Sequence, residues 1–276
     1  MGIKTKIEWC DSTCSPTPCC LGCELYPDVC FAAAMHRRYD GHNSGWPKSF
    51  TEPSFFPGRI EAAAKWSDLR GKKRPGKPWL DGMPRLIFVD DLGDPFAPFD
   101  DSQWQPETHW LHAALPVIEK SPHIWLLLTK WPERLRKFAA AAGTLPSNIW
   151  GGTTAINQAS KNRIWQLLQI PQLAVRFLSY EPAIGPLDLD AIEAICKTWR
   201  HGATIGMYLD WVITGPETGP NRRHSDPEWT RTIIDQCKAS NVPVFIKAMS
   251  LGGSVAKDSS RFPGWANLRE MPEVTR

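Results

Sequence analysis

Short apolar runs alternate with mixed, helically spaced stretches along most of the chain. Runs rich in β-branched and aromatic residues lie at 86–90 (LIFVD), 123–129 (HIWLLLT), 148–153 (NIWGGT), 175–179 (VRFLS), 210–214 (DWVIT) and 242–247 (VPVFIK). Each is nearly all apolar and ends in polar or glycine residues, the pattern of a parallel strand buried on both faces. The segments at roughly 105–120, 132–142, 159–169, 189–199 and 227–239 read as helices. Asp226 is placed to cap the last of them, with Pro227 at its first position and Asn241 as its stop. A further strand at about 5–9 brings the total to about seven strands alternating with helices. The pattern predicts an α/β fold, a parallel TIM-like (β/α) barrel, complete or partial, ahead of a doubly wound sheet. A single domain over 1–276 accommodates it, with a cysteine loop at 10–30 and an irregular basic insertion at 41–84.

Composition narrows the function classes. With 42% hydrophobic and 22% charged residues, the chain is neither disordered nor fibrous. A net charge of +3, from 32 basic and 29 acidic residues, is too small for a nucleic-acid coat protein. No apolar run approaches the roughly 18 residues of a membrane span, and the start MGIKTKIEWC lacks a signal-peptide core. A cytoplasmic location without membrane association is expected. The stretch with Arg70, Lys72, Lys73, Arg74 and Lys77 reads as a solvated loop or as a phosphate-contacting one, flanked by Trp66 and Trp79. Of fourteen tryptophans, Trp125, Trp150 and Trp211 fall in strands and belong to the core. Trp46, Trp66, Trp79, Trp104 and Trp131 fall in loops and are candidates for stacking on bases. His36, beside Arg37 and Arg38, reads as a surface residue.

Six of the eight cysteines lie near the N-terminus: Cys10, Cys14, Cys19, Cys20, Cys23 and Cys30. Clustered thiols in a reducing compartment bind soft metals rather than form a disulfide framework. Cys20-x-x-Cys23-x6-Cys30 precedes the helical segment FAAAMHRRY. Structural zinc wants four ligands, and no later C-x-x-C or H-x3-H pair supplies the rest. Three thiolates on a [4Fe-4S] cubane leave one iron open to an external ligand, such as a sulfonium cofactor. Alternatively Cys10, Cys14 or Cys19 completes a four-cysteine zinc or electron-transfer site. Cys196 and Cys237, in helical segments, read as plain buried thiols.

The string IEWCDSTCSPTPCCLGCELYPDVCFA resembles the opening of the phage- and prophage-borne three-Cys-motif proteins, a radical-SAM-like family. That family usually begins I-E-W-T-[DE]-x-T-W-N-P, followed by three cysteines and C-Y-A. IFVDDLGDPF, LLTKWPERL, NIWGGTTA, VRFLSYEPAIGPLDL, WVITGPETGPNRR and QCKASNVPVFIKAM continue the resemblance over nearly the whole chain. Cys10 and Cys14 stand where the family usually has Thr and Trp, and Phe31 replaces the usual Tyr. The spacing also departs from the common radical SAM C-x3-C-x2-C. The resemblance implies Cys20, Cys23 and Cys30 as cluster ligands and S-adenosyl-L-methionine as cofactor. The expected partners are a nucleic-acid substrate (DNA ahead of RNA), a reductase or flavodoxin-type electron donor, and a three-Cys-motif partner protein.

Working residues of a parallel barrel lie at the C-terminal ends of its strands. Those ends hold Asp90, Asp91 and Asp94; Thr129 and Lys130; Thr153 and Thr154; Ser179 and Glu181; Thr214 and Glu217; and Lys247. For S-adenosylmethionine, Asp90 and Asp91 suit the ammonium, Lys130 the carboxylate, and Ser179 and Glu181 the ribose, with Thr153 in the same set. The competing readings make Asp90 and Asp91 loop caps and pair Glu181 with Arg176. Glu217 faces Arg222, Arg223 and His224 across a short loop, which could hold a phosphate or a base edge, or could be a salt-bridged loop. Lys247 ends a buried strand and must find a partner, expected to be Glu217 or the substrate. Lys247 and Glu217 are the candidate catalytic residues. The expected function is a radical SAM iron–sulfur enzyme that modifies or repairs a nucleic-acid base. The alternatives are a zinc-stabilised nucleic-acid-binding protein without redox chemistry and a family member that keeps the barrel only as a scaffold.

Overall fold

The computed structural model describes residues 2–25, 30–39, 46–99, 104–192, 205–219 and 221–273. Seven strands form one sheet in the order β1-β2-β3-β4-β5-β6-β7. They are β1 (Ser12–Cys14), β2 (Leu86–Val89), β3 (Ile124–Thr129), β4 (Ile149–Thr154), β5 (Val175–Tyr180), β6 (Trp211–Thr214) and β7 (Val244–Ile246). The β1–β2, β2–β3, β5–β6 and β6–β7 pairs are parallel. The order never reverses, so the sheet lacks the switch point of a doubly wound fold. The helices described along their whole length are α1 (Phe31–Tyr39), α2 (Arg59–Ala64), α3 (Leu111–Lys120), α4 (Pro132–Ala142), α5 (Lys161–Leu168) and α6 (Pro227–Ala239). Beyond residue 192 the helix expected at 189–199, with Cys196, lies outside the described residues.

The chain divides into two compact units, 1–151 with 172–174, and 152–171 with 175–276. In the first, Ile87, Val89, Trp125 and Leu127 from the strands are buried, as are Leu111 and Ile118 of α3 and Leu135 and Phe138 of α4. In the second, Leu178, Tyr180, Val212, Val244 and Ile246 share a core cluster with Ile233, Ile234 and Cys237 of α6. The capping of α6 follows the sequence: the Asp226 side chain accepts from the Glu228 N–H, and Pro227 opens the helix.

Three elements depart from the sequence expectation. Residues 5–9 form no strand, because their carbonyls turn toward one ammonium: Lys77 Nζ donates to the carbonyls of Thr5 (3.0 Å), Ile7 (2.6 Å) and Cys10 (2.5 Å). The first strand instead begins at Ser12. The helix expected from 105 starts at Leu111, since His109 is extended, stacked on Phe96 at 4.8 Å and bonded through Nε2 to the Pro95 carbonyl. A hairpin the sequence reading missed, β8 (Met249–Leu251) with β9 (Ser254–Ala256), turns at Gly252 and Gly253. The Gly-Gly pair between two short apolar-polar runs was its signal. Both outer strands meet terminal segments in antiparallel bridges, Thr13 with Gly2 and Phe245 with Arg269, which blunts exposed edges against foreign strands.

Candidate functional site

In the first unit the cysteines separate into two sets. Cys10, Cys14 and Cys19 are buried. Cys14 Sγ donates to the Arg59 carbonyl at 3.4 Å, and Cys19 Sγ lies between the Ser54 carbonyl and N–H. Burial pushes the Cys14 thiol up to about 12 and the Cys19 thiol up to about 11, so both stay protonated and poor as ligands. Cys20, Cys23 and Cys30 are half-buried. Burial is also the main cause that raises the Cys20 thiol; the charge of Asp94 raises it further, Lys130 opposes, and Cys23 and Cys30 lie close enough to add to it. Among the described residues, no group of three or more His, Cys, Asp or Glu is drawn into metal-binding geometry. Residues 26–29, inside the Cys23-to-Cys30 span, lie outside the described set.

The strand-end carboxylates hold this cysteine segment in place. Asp90, in a left-handed conformation at φ 56°, accepts from the Thr17 N–H (2.7 Å) and the Thr17 hydroxyl (2.5 Å). Asp91 accepts from the Ser15 hydroxyl at 2.6 Å. Asp94 accepts from the Thr129 hydroxyl (2.7 Å), the Lys130 N–H (2.8 Å) and the Phe96 N–H (3.0 Å), while its own N–H donates to the Cys19 carbonyl. Asp90 and Asp91 thus act on loop 15–17, the capping role weighed against ammonium binding. Burial raises all three carboxyls above their ordinary value, Asp90 to about 7.

The Asp90 shift fixes a pH dependence. Between the ordinary value of 3.8 and the folded value of about 7, the folded state holds a proton that the unfolded state releases, so stability falls as pH rises through that window. In Asp90→Asn, urea unfolding from pH 4.5 to 7.5 should show a shallower fall, by up to about 1.4 kcal/mol per pH unit. Equal slopes in both proteins would place the titration elsewhere.

In the second unit Thr153 and Ser179 are buried on β4 and β5. Lys247 turns not to Glu217 but to Glu181, Nζ to Oε1 3.2 Å. Lys247 follows β7 and Glu181 follows β5, with Gly215 at the end of β6 between them. A Cβ on Gly215 would stand 3.2 Å from Glu181 Oε1, so the missing side chain leaves room for the pair. Glu217 is held by Arg223, whose Nη2, Nε and N–H donate at 2.6, 3.1 and 2.8 Å. Burial alone would raise the Glu217 carboxyl, but these bonds outweigh it and hold it below its ordinary value. Arg176 pairs with Asp210 at 3.5 Å rather than with Glu181.

A model of the DUF5131 family, described as a protein of unknown function, matches residues 4–270. The chain belongs to that family. No curated protein and no solved structure matches it. In this DUF5131 chain much of the basic insertion is structural. Arg74 is buried and paired with Asp11 at 2.8 Å, Lys77 is enclosed by carbonyls, and Arg70 pairs with Asp68 at 2.7 Å. Lys72 and Lys73 stay exposed. The loop tryptophans are half-buried: Trp79 Nε1 donates to the Glu8 carbonyl, Arg134 covers Trp104 at 4.4 Å, Arg85 lies over Trp66 at 5.8 Å, and Trp46 packs on His36. His36 is itself buried, its Nε2 bonded to the Pro47 carbonyl at 3.0 Å. Trp79 partly buries its ring while its N–H finds a carbonyl, the usual packing solution for this side chain. The membrane expectation agrees to this extent: no described helix is long and apolar enough to cross a bilayer.

Proposed function

We propose that the chain is a radical-SAM-like enzyme on a partial (β/α) barrel, with Cys20, Cys23 and Cys30 as the ligands of a [4Fe-4S] cluster. One observation carries the reading: Cys20, Cys23 and Cys30 are half-buried, with Cys20 beside Asp94 and Lys130 and near Cys23 and Cys30, while the other N-terminal thiols are buried. That donor set fits an iron–sulfur cluster, because thiolates match its soft irons and three of them leave a position open. It fits a closed zinc site less well, since Cys14 and Cys19 are already engaged in hydrogen bonds. The unbroken strand order supports the barrel. When bound, the cluster and S-adenosylmethionine would supply a deoxyadenosyl radical able to take a hydrogen atom from a substrate.

The chain's own residues position and exclude. Asp94 holds the Cys19 backbone and, through Thr129 and Lys130, fixes the end of β3. Lys130 would supply the cation for the cofactor's carboxylate, while Asp90 and Asp91 hold loop 15–17 in place. In the second unit the Lys247–Glu181 pair fixes both side chains at the ends of β7 and β5, Nζ to Oε1 3.2 Å. A nucleic-acid base is the proposed substrate, supported on the surface by Lys72 and Lys73, with an external reductase or flavodoxin-type protein as electron donor.

Anaerobic purification followed by iron, sulfide and zinc analysis and an absorption spectrum tests the reading. About four irons per chain and a brown chromophore lost in Cys23→Ala are expected. One zinc with no visible absorption would overturn it.

A further inference from the structure

A polar cavity lies in the second unit, outside the cysteine site. It has a volume of 350 Å³ and is lined by Glu217, Arg222, Arg223, His224, Ser225 and Ser250, among others. This is at the small end of ligand-pocket size, room for a compact polar group rather than a large apolar molecule.

Its charge is decided by one ion pair. Glu217, the one acidic residue lining it, is neutralised by the forked contact from Arg223. Among the described residues no carboxylate pairs with Arg222, which leaves its positive charge to the cavity. Its Nη2 donates to the Gly253 carbonyl (2.5 Å) and its Nη1 to the Gly219 carbonyl (3.3 Å). Those two bonds orient the guanidinium against the β8–β9 turn, and its remaining N–H groups can serve a ligand. Ser225 is 4% exposed and lines the cavity. The hydroxyls of Ser225 and Ser250 can each donate a hydrogen bond to a ligand oxygen. Ser250 lines the same space, and His224 adds an exposed ring.

We propose that this cavity is a phosphate-binding site, with Arg222 as the charge anchor and Ser225 and Ser250 as hydroxyl donors. The chemistry is an oxygen-rich anion with several acceptors, which suits a fork-shaped guanidinium joined to convergent hydroxyls. The inference does not rest on the cysteine cluster, and it stands whether or not iron binds.

Calorimetric titration of the full chain with inorganic phosphate tests it, with acetate as the anion control. Wild type should bind phosphate saturably and acetate more weakly. Arg222→Gln should weaken phosphate binding about 10-fold or more, the effect of losing a charged hydrogen-bond donor. Ser225→Ala should weaken it less, and Arg70→Gln, an exposed arginine of the first unit, should leave it unchanged. Thermal unfolding of each variant checks that the fold survives. Thymidine 5′-monophosphate and the phosphodiester thymidylyl-thymidine then separate the sources: tighter monoester binding assigns a small nucleotide, tighter diester binding a nucleic-acid backbone. No saturable phosphate binding to wild type, acetate binding as tightly, or equal losses in Arg70→Gln and Arg222→Gln would overturn the site.

Discussion

Asp11→Ala is expected to lower the unfolding free energy by about 3–5 kcal/mol, the cost of breaking a buried ion pair from one side. Asp11 and Arg74 are 7% and 8% exposed. The Asp11 carboxylate accepts from Arg74 Nε (2.8 Å) and Nη2 (3.3 Å), and from the Leu86 N–H (2.9 Å) at the start of β2. Removing it leaves a guanidinium that is surrounded by the carbonyls of Lys72, Leu80, Met83 and Pro84 and has lost its counter-charge. It also takes the acceptor from the first residue of the strand that carries the Asp90-to-Asp94 turn. Arg74→Ala should cost a similar amount, and the double variant less than the sum, because neither charge is then stranded. Urea unfolding of the three variants measures this. A single-variant loss under about 1 kcal/mol would put the pair with exposed salt bridges instead.

Gly93→Ala is expected to dislodge the cysteine loop. A Cβ at Gly93 would lie 2.3 Å from the Thr17 carbonyl oxygen, 2.6 Å from that of Cys19 and 2.9 Å from the Cys19 nitrogen. All three are backbone atoms, so no side chain can rotate aside, and either segment 17–19 or the turn after β2 must move. Forced overpacking of this kind costs about 1–3 kcal/mol or more. The more telling readout is chemical. Cys19 is 1% exposed in the native fold, so its labelling by a thiol reagent should accelerate at least tenfold in Gly93→Ala. Gly76→Ala, with nothing within 4 Å of its added Cβ, is the control. Unchanged labelling would show that the loop does not depend on this contact.

The two predictions concern contacts that no local pattern announces. Asp11 and Arg74 are 63 residues apart, and Gly93 meets the backbone of Thr17 and Cys19 from far along the chain. By contrast, the strands at 86–89 and 124–129, and α4 and α6 at their observed bounds, were legible, because burial on two faces and amphipathic spacing repeat within a few residues. The cysteine spacing singled out Cys20, Cys23 and Cys30, but nothing in that spacing said that Cys10, Cys14 and Cys19 would be buried.

The strand-end list was likewise legible as a list and not as a set of pairs. Lys247 was expected to meet Glu217 or the substrate, yet Glu181 takes it and Arg223 takes Glu217, since Gly215 opens the space beside one carboxylate and Arg223 reaches the other. The basic insertion read as surface charge, whereas Arg74 and Lys77 became internal fastenings once carbonyls from distant segments converged on them. The sequence by itself therefore determined the alternation of elements, the cap of α6 and the inventory of reactive groups, all of which depend on neighbours along the chain. The tertiary structure alone decided which of those groups meet, because hydrogen-bond and charge partners are chosen by proximity in space, and burial makes each choice costly to leave unmade.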